Sequence, residues 1–236
     1  MENNIKVGVI GGMGPAASAL FYRMTVEHTK ARCDRDHMDL ILLSHASMPD
    51  RTEALLAGRR AELLALLLAD ARMLEALGAG AIAIPCNTSH ALADEIQAGI
   101  GIPLINMVRE TARECAARFA DEPARVAVLA TDGTLREGLY RRALEAHGLE
   151  PWSPQDEIQE LVMKLIYDGV KGGGRIDYED FLTIERALAR AGCEAAIMGC
   201  TELSVVKEKL DLPAFYVDAM LTLVKRVILF AGREYI

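Results

Sequence analysis

Ala79-Gly80-Ala81-Ile82-Ala83-Ile84-Pro85-Cys86-Asn87-Thr88 returns near the other end of the chain as Cys193-Glu194-Ala195-Ala196-Ile197-Met198-Gly199-Cys200-Thr201-Glu202. Each copy is a short apolar run that ends on a cysteine followed by small polar residues. Continuous apolar runs of this length, bounded by Gly or Pro, read as strands buried on both faces of a sheet. A second pair, Lys6-Val7-Gly8-Val9-Ile10 over Arg125-Val126-Ala127-Val128-Leu129, stands in the same relation. Two copies of a unit this long point to a duplicated domain, because solenoid repeats are shorter and more numerous.

Working outward from these runs, strands are expected at residues 5–10, 38–43, 81–85, 103–106, 125–130, 150–153, 195–199 and 214–217. Helical patterns fall between them, at 16–31, 59–77, 89–97, 108–119, 135–147, 155–170, 178–191, 203–209 and 219–230. Strands that alternate with helices build βαβ units and a mostly parallel sheet. The predicted fold is therefore α/β: two pseudo-symmetric lobes, each a mostly parallel sheet flanked by helices, with an active site between them. The first lobe is expected over residues 1–106 and the second over 107–217, joined by a helix near 106–124.

The 236 residues carry a net charge of −8, with 51% hydrophobic and 25% charged residues. This composition is too apolar for a disordered chain. The acidic balance argues against a nucleic-acid binder, which needs a surplus of Lys and Arg. There are five cysteines, with no Cys-x-x-Cys spacing. An odd count without paired spacing reads as free thiols of a reducing compartment, hence a cytoplasmic protein. Met1 to Lys6 reads as a polar lead into a strand rather than a signal peptide. The longest stretch free of Asp, Glu, Lys and Arg, Ala76 to Ala93, holds Pro85, Asn87, Thr88, Ser89 and His90, which excludes it as a membrane span.

Cys86 and Cys200 each follow the third strand of a lobe and precede a helix, where open parallel sheets bind ligands. A helix start there lowers a thiol's pKa and favours anions. Two matched thiols facing one cleft could act as acid and base, one taking a proton from carbon while the other gives one to the opposite face. Cys33, Cys115 and Cys193 lack this context and read as structural. Gly11-Gly12-Met13-Gly14-Pro15-Ala16-Ala17 joins a strand to a helix and loosely matches a dinucleotide fingerprint. The acidic residue that would hold a ribose is missing, since the second strand ends in Leu43-Ser44-His45. A loop letting backbone approach a small carboxylate is preferred, with a plain tight turn as the alternative. Cys86 and His90 form C-x-x-x-H, but no matching ligand pair follows Cys200, so no metal is expected. His90 is read either as ordering the cleft or as a packed histidine. Glu202 is read as a helix cap or as orienting Cys200.

With these residues in view, the chain resembles the aspartate/glutamate racemase superfamily, and most its aspartate racemase or amino-acid racemase branch. The resembling motifs are Gly11-Gly12-Met13-Gly14-Pro15, Pro49-Asp50-Arg51-Thr52, Pro85-Cys86-Asn87-Thr88-Ser89-His90, Ile166-Tyr167-Asp168-Gly169-Val170-Lys171 and Gly199-Cys200-Thr201-Glu202-Leu203. They span nearly the whole chain in order. The resemblance implies a cofactor-independent racemase that acts on a small amino acid, commonly as a homodimer, with the last helix (residues 218–231) packing back on the first lobe. It implies that Cys86 and Cys200 are the acid/base thiols. Asn87, Thr88 and Thr201 would hold the α-carboxylate, Met13 and Gly14 would line the same pocket, and Thr131 would take the matching place in the second lobe.

Arg51 and Lys171, if both reach the cleft, suit a side-chain carboxylate, which favours aspartate and then glutamate. Solvated loop cations are the alternative for each. Other readings are a related reaction at the same cysteines (maleate isomerase, malonate decarboxylase or hydantoin racemase type), a non-catalytic two-lobed binder of small acids, and a nicotinamide oxidoreductase.

Overall fold

The computed structural model describes residues 5–120 and 124–236. The first four residues of the polar lead, and residues 121–123 of the expected join, lie outside the described residues. The chain divides into two compact units: residues up to Met107 together with Met220–Ile236, and Val108–Ala219.

In the first unit β1 (Val7–Gly11), α1 (Pro15–Glu27), β2 (Leu40–Ser44), α2 (Arg51–Leu56), α3 (Arg60–Ala76), β3 (Ala81–Ala83), α4 (Ala93–Ala98) and β4 (Leu104–Ile105) follow in order. All four strands pair in parallel, in the order β2-β1-β3-β4. In the second, α5 (Met107–Arg118) leads in from the last residue of the first unit. Then come β5 (Arg125–Leu129), α6 (Asp132–Arg136), α7 (Leu139–Glu145), β6 (Glu150–Trp152), α8 (Asp156–Lys164), α9 (Tyr178–Arg190), β7 (Ala195–Met198), α10 (Thr201–Leu210) and β8 (Tyr216–Asp218). These strands too are parallel, in the order β6-β5-β7-β8. The same order in both units, with Val7 opposite Ala81 and Val126 opposite Ala195, makes the two α/β lobes pseudo-symmetric.

Each sheet is buried because helices cover it. In the first unit Ile10, Ile82 and Ile84 meet Leu63, Leu67 and Leu74 of α3, and Met13, Met48 and Cys86 join the same cluster. In the second, Leu129 and Met198 meet Val162, Ile166, Phe181, Ile184 and Leu188, and Cys200 joins them. A fully buried Leu or Ile stabilises by about 1.5–3 kcal/mol, so these two clusters are the main source of stability. Helix starts are written locally: Pro15 opens α1, and Asp50, Thr131 and Asp177 cap α2, α6 and α9 with their side chains. The final helix, α11 (Ala219–Phe230), returns the chain to the first unit. There Thr29 bridges Tyr235, Lys30 pairs with Glu234 at 2.7 Å, and His28 stacks on Tyr235.

Four details depart from the predicted elements. The helix expected at 135–147 is two helices, broken where Gly138 adopts a left-handed φ of 60°. The helix expected at 89–97 starts as a 3-10 turn, Thr88–Leu92, before α4. The helix expected at 155–170 passes from α8 into π-helical turns over Leu165–Lys171. Finally, α2 is an extra short helix that starts on Arg51.

The turn after β1 depends on Gly12. Its φ is +87°, and a Cβ there would meet the backbone of His45 at 2.5 Å. Gly78 also has positive φ (+86°), but open space surrounds it. Gly12→Ala should cost more than about 2 kcal/mol, and Gly78→Ala about 1 kcal/mol. Urea denaturation of both variants measures the difference.

Candidate active site

Both sheets reverse direction of growth between their first and third strands, so a crevice opens at the carboxyl ends of β1 and β3, and again at those of β5 and β7. The candidate residues fall there. In the first unit the Gly11–Gly14 loop leaves β1 and Cys86 lies just past β3; in the second, Thr131 follows β5 and Cys200 follows β7.

In the first unit the structure brings Cys86, Met13 and Arg51 together. Cys86 is 6% exposed and packs in the same cluster as Met13. The Ser89 hydroxyl reaches Met13 Sδ at 3.6 Å, and Arg51 Nη2 donates to the Met13 carbonyl at 3.2 Å. Arg51 also donates from Nη1 to the Pro49 carbonyl. Arg51 as a whole is 8% exposed, and its guanidinium lies against the Met13 carbonyl of the Gly11–Gly14 loop. That loop is tied internally: the Gly12 N–H donates to Ser18 Oγ at 2.8 Å, and the Ser18 hydroxyl donates to the Gly14 carbonyl. The Gly12 amide is thus spent on Ser18, which removes one of the backbone donors that a carboxylate-binding glycine loop would offer. Asn87 and Thr88 are buried at the turn after Cys86. His90 uses both ring nitrogens on backbone, Nδ1 on the Cys86 carbonyl (2.9 Å) and Nε2 on the Met107 N–H (3.2 Å), which leaves neither for a metal. Among the described residues no group of three or more His, Cys, Asp or Glu is placed to hold a metal ion.

In the second unit Cys200 is the cap residue of α10, and its thiol donates to Glu202 Oε2 at 2.9 Å. The Thr201 hydroxyl donates to the same oxygen at 3.3 Å. Burial pushes the Cys200 thiol well above its ordinary pKa, the Glu202 carboxylate pushes it further, and the Lys171 ammonium works against both. Lys171 ends the π-helical turns and lies over the Tyr167 ring, 4.2 Å from its centre, with its own side chain exposed. Thr131 caps α6 and also contacts the Thr134 hydroxyl. Gln159 of α8 donates to the Ala130 carbonyl and to Asp132, bracing the loop that carries Thr131. A hollow of about 400 Å³ opens beside it, lined by Asp132, Gln159, Lys164 and Tyr167 among others.

The remaining thiols differ. Burial pushes Cys115 up to about 12, and Cys193 is raised mainly by burial too. Cys33 is exposed. Sequence reasoning did not find the pair His45 and Asp70, in contact at 2.7 Å at the end of β2. Nothing in the spacing of a loop histidine and a mid-helix aspartate announces it. The helical setting of Arg51 was missed too, although a signal for it was present: Asp50-x-x-Glu53 is a capping pattern, and Asp50 accepts from the Glu53 N–H.

This fold, with a buried thiol past the third strand of each of two duplicated α/β units, defines a class. Residues 10–227 match the family described as Asp/Glu/Hydantoin racemase. The chain belongs to this family and is a cofactor-independent amino-acid racemase. Among solved structures it is similar to the aspartate racemase of Picrophilus torridus, at 27% identity and a TM-score of 0.83, covering 98% of this chain and 96% of that one. It is also similar to an aspartate racemase homologue from Pyrococcus horikoshii OT3, at 26% identity and a TM-score of 0.77, covering 96% and 99%. Among curated sequences it is 26% identical to the broad specificity amino-acid racemase RacX of Bacillus subtilis (strain 168), over 94% of this chain and 96% of that protein.

The surroundings of Cys200 set the sign of two substitutions. A carboxylate beside a thiol opposes the thiolate and a nearby ammonium favours it. Glu202→Gln should therefore move alkylation of Cys200 by iodoacetamide to lower pH, and Lys171→Met should move it to higher pH. Peptide mass mapping of the pH profile at Cys200 reads both shifts.

Proposed function

We propose that the chain racemises an acidic amino acid, aspartate first and glutamate next, by passing the α-proton between Cys86 and Cys200. The observation that supports this reading is a repeated one: in each unit a buried thiol stands past the third strand; Lys171 acts on Cys200, and Arg51 is held on the carbonyl of Met13, which shares the apolar cluster of Cys86.

In one direction the Cys86 thiolate takes the proton from Cα and becomes a thiol. The electron pair moves into the α-carboxylate. Asn87, Thr88, Thr131 and Thr201 supply side-chain and backbone donors to that carboxylate, with Met13 and Gly14 forming the adjoining wall. The Cys200 thiol then gives its proton to the opposite face and becomes the thiolate. For the next turnover in the same direction the Cys86 thiol releases its proton to solvent, and Glu202, already bonded to the Cys200 sulfur, takes one proton from solvent and hands it to Cys200. No redox change occurs and no cofactor enters the balance. Arg51 and Lys171 offset the side-chain carboxylate, whose unpaired burial is costly. The protein is proposed to be cytoplasmic and homodimeric. Its five cysteines are free, and β2 is an edge strand whose apolar Leu42 is exposed. No helix among the described residues is long and apolar enough to cross a membrane.

A second reading, broad specificity toward neutral amino acids, has an observation in its favour: Arg51 already spends two guanidinium nitrogens on the Pro49 and Met13 carbonyls.

Loss of the α-proton NMR signal in D₂O, followed together with optical rotation, tests the thiols. Cys86→Ala and Cys200→Ala should each abolish inversion in both directions, and near-normal inversion in either would overturn the two-thiol mechanism. Comparing kcat/KM for aspartate, glutamate, alanine and homoserine separates the two substrate readings. Arg51→Ala should cost the acidic substrates about 2–5 kcal/mol more than the neutral ones. The exposed Lys171 should give a smaller, salt-sensitive loss. Wild-type preference for alanine or homoserine would establish the broad reading instead.

A further inference from the structure

The two thiols occupy matching places in the repeat, yet they are held by different means. Cys200 is held through its sulfur, by the Glu202 carboxylate. Cys86 Sγ has no hydrogen-bond partner among the described residues. Cys86 is held by its backbone instead. Its N–H donates to the Ile84 carbonyl at 2.7 Å, and its carbonyl accepts from His90 Nδ1 at 2.9 Å. Both polar backbone groups of Cys86 are thus anchored, which leaves χ1 as the torsion that aims the sulfur.

The His90 ring is fixed in turn. Its Nε2 accepts from the Met107 N–H, so Nε2 carries no proton and the Nδ1 proton points at Cys86. The ring is 5% exposed, and protonating Nε2 would break the Met107 bond. The peptide between Cys86 and Asn87 is planar, so its N–H points away from its C=O. A ring that pins the Cys86 carbonyl on one side therefore sends the Asn87 N–H to the other. One imidazole sets the direction of the Cys86 side chain and of the next amide together.

We propose that His90 is a positioning residue for Cys86: its Nδ1–H fixes the Cys86–Asn87 peptide, and through it the presentation of the Cys86 thiol. This rests on the reading of Cys86 as a proton-transferring thiol. A thiol displaced by one peptide rotation no longer meets the α-proton at reacting distance, and an error near 1 Å costs about 10²-fold in rate.

The two bonds of His90 can be removed separately. Asn carries an N–H₂ in the place of Nδ1, so His90→Asn keeps the bond to the Cys86 carbonyl and loses the one to Met107. Gln reaches the place of Nε2 with a carbonyl oxygen, so His90→Gln keeps the Met107 bond and loses the Cys86 bond. The expected result is that His90→Gln loses about 10²-fold in kcat with little change in KM, while His90→Asn recovers most of kcat. Iodoacetamide alkylation supplies a readout that needs no substrate. In His90→Gln the rate at Cys86 should change while Cys200, the internal control, keeps its own; in a variant that merely loosens the fold, both thiols change together. The proposal is overturned if the Asn and Gln variants lose kcat equally, if kcat follows melting temperature across both, or if Cys86 and Cys200 alkylation shift in parallel. Cys86→Ala is assayed alongside. If it still racemises, the reading of Cys86 itself has failed; if it is inactive while Asn and Gln behave alike, only the role of His90 has failed.

Discussion

The pairing of the first strand with the third, in parallel and in the same register in both units, is the constraint on which the candidate site depends. Val7–Val9 against Ala81–Ala83 and Val126–Leu129 against Ala195–Met198 bring the ends of β1 and β3, and of β5 and β7, side by side. The chain must cross over between them, so each crossover loop begins beside the cysteine that ends the partner strand. The Gly11–Gly14 loop stands near the Cys86 turn for that reason, and the Thr131 loop stands near Cys200 for the same reason. Ladder hydrogen bonds and apolar burial hold the strands, and the chemistry-bearing residues inherit their places from them.

Duplication copies backbone more faithfully than it copies side-chain chemistry. Position 87 is Asn where 201 is Thr, and position 88 is Thr where 202 is Glu. That second exchange puts a carboxylate 2.9 Å from the Cys200 thiol, a neighbour the first unit lacks at the corresponding place. Burial and this carboxylate raise the Cys200 pKa, with Lys171 opposing them. In the first unit, residue 90 supplies an imidazole that holds backbone rather than sulfur. The two sites are thus symmetric in the location of sulfur and asymmetric in how its proton is governed.

Much of this was legible in the sequence because the duplication prints twice. The apolar runs that end in Cys86 and Cys200 gave both central strands, and the alternation of strands with helical patterns gave the parallel sheets. Legibility failed where the answer depends on a residue far away in sequence. His45 and Asp70 meet only because β2 lies beside β1 and α3 packs on the same sheet. The Gly12 amide reads as an open donor in sequence, and only the fold shows Ser18 filling it. The break of one expected helix at Gly138 was visible in principle, since a glycine inside a helical pattern weakens it. The π-helical turns over Leu165–Lys171 were not, because a run compatible with α-helix carries no separate periodic signal for one widened turn.

The unequal settings of the two thiols are compatible with a racemase for a thermodynamic reason. Enantiomers in water have equal free energy, so the reaction they define has an equilibrium constant of unity. The efficiencies kcat/KM in the two directions must then be equal, however unlike the two acid/base groups are. Unequal thiols cannot bias the enzyme toward one enantiomer; they bias only which protonation form of the free enzyme is populated, and the less populated form must react faster in proportion. A Cys200 held as thiol by burial and by Glu202 favours the form that protonates at Cys200 and abstracts elsewhere. In the mechanism proposed above, the form left after turnover carries Cys200 as thiolate, the form that burial and Glu202 disfavour, and its return through Glu202 would be part of the cycle. In that mechanism Glu202 is in hydrogen-bond contact with the sulfur it would reload, so the last step of the return is a single direct transfer, while the Cys86 proton leaves to solvent.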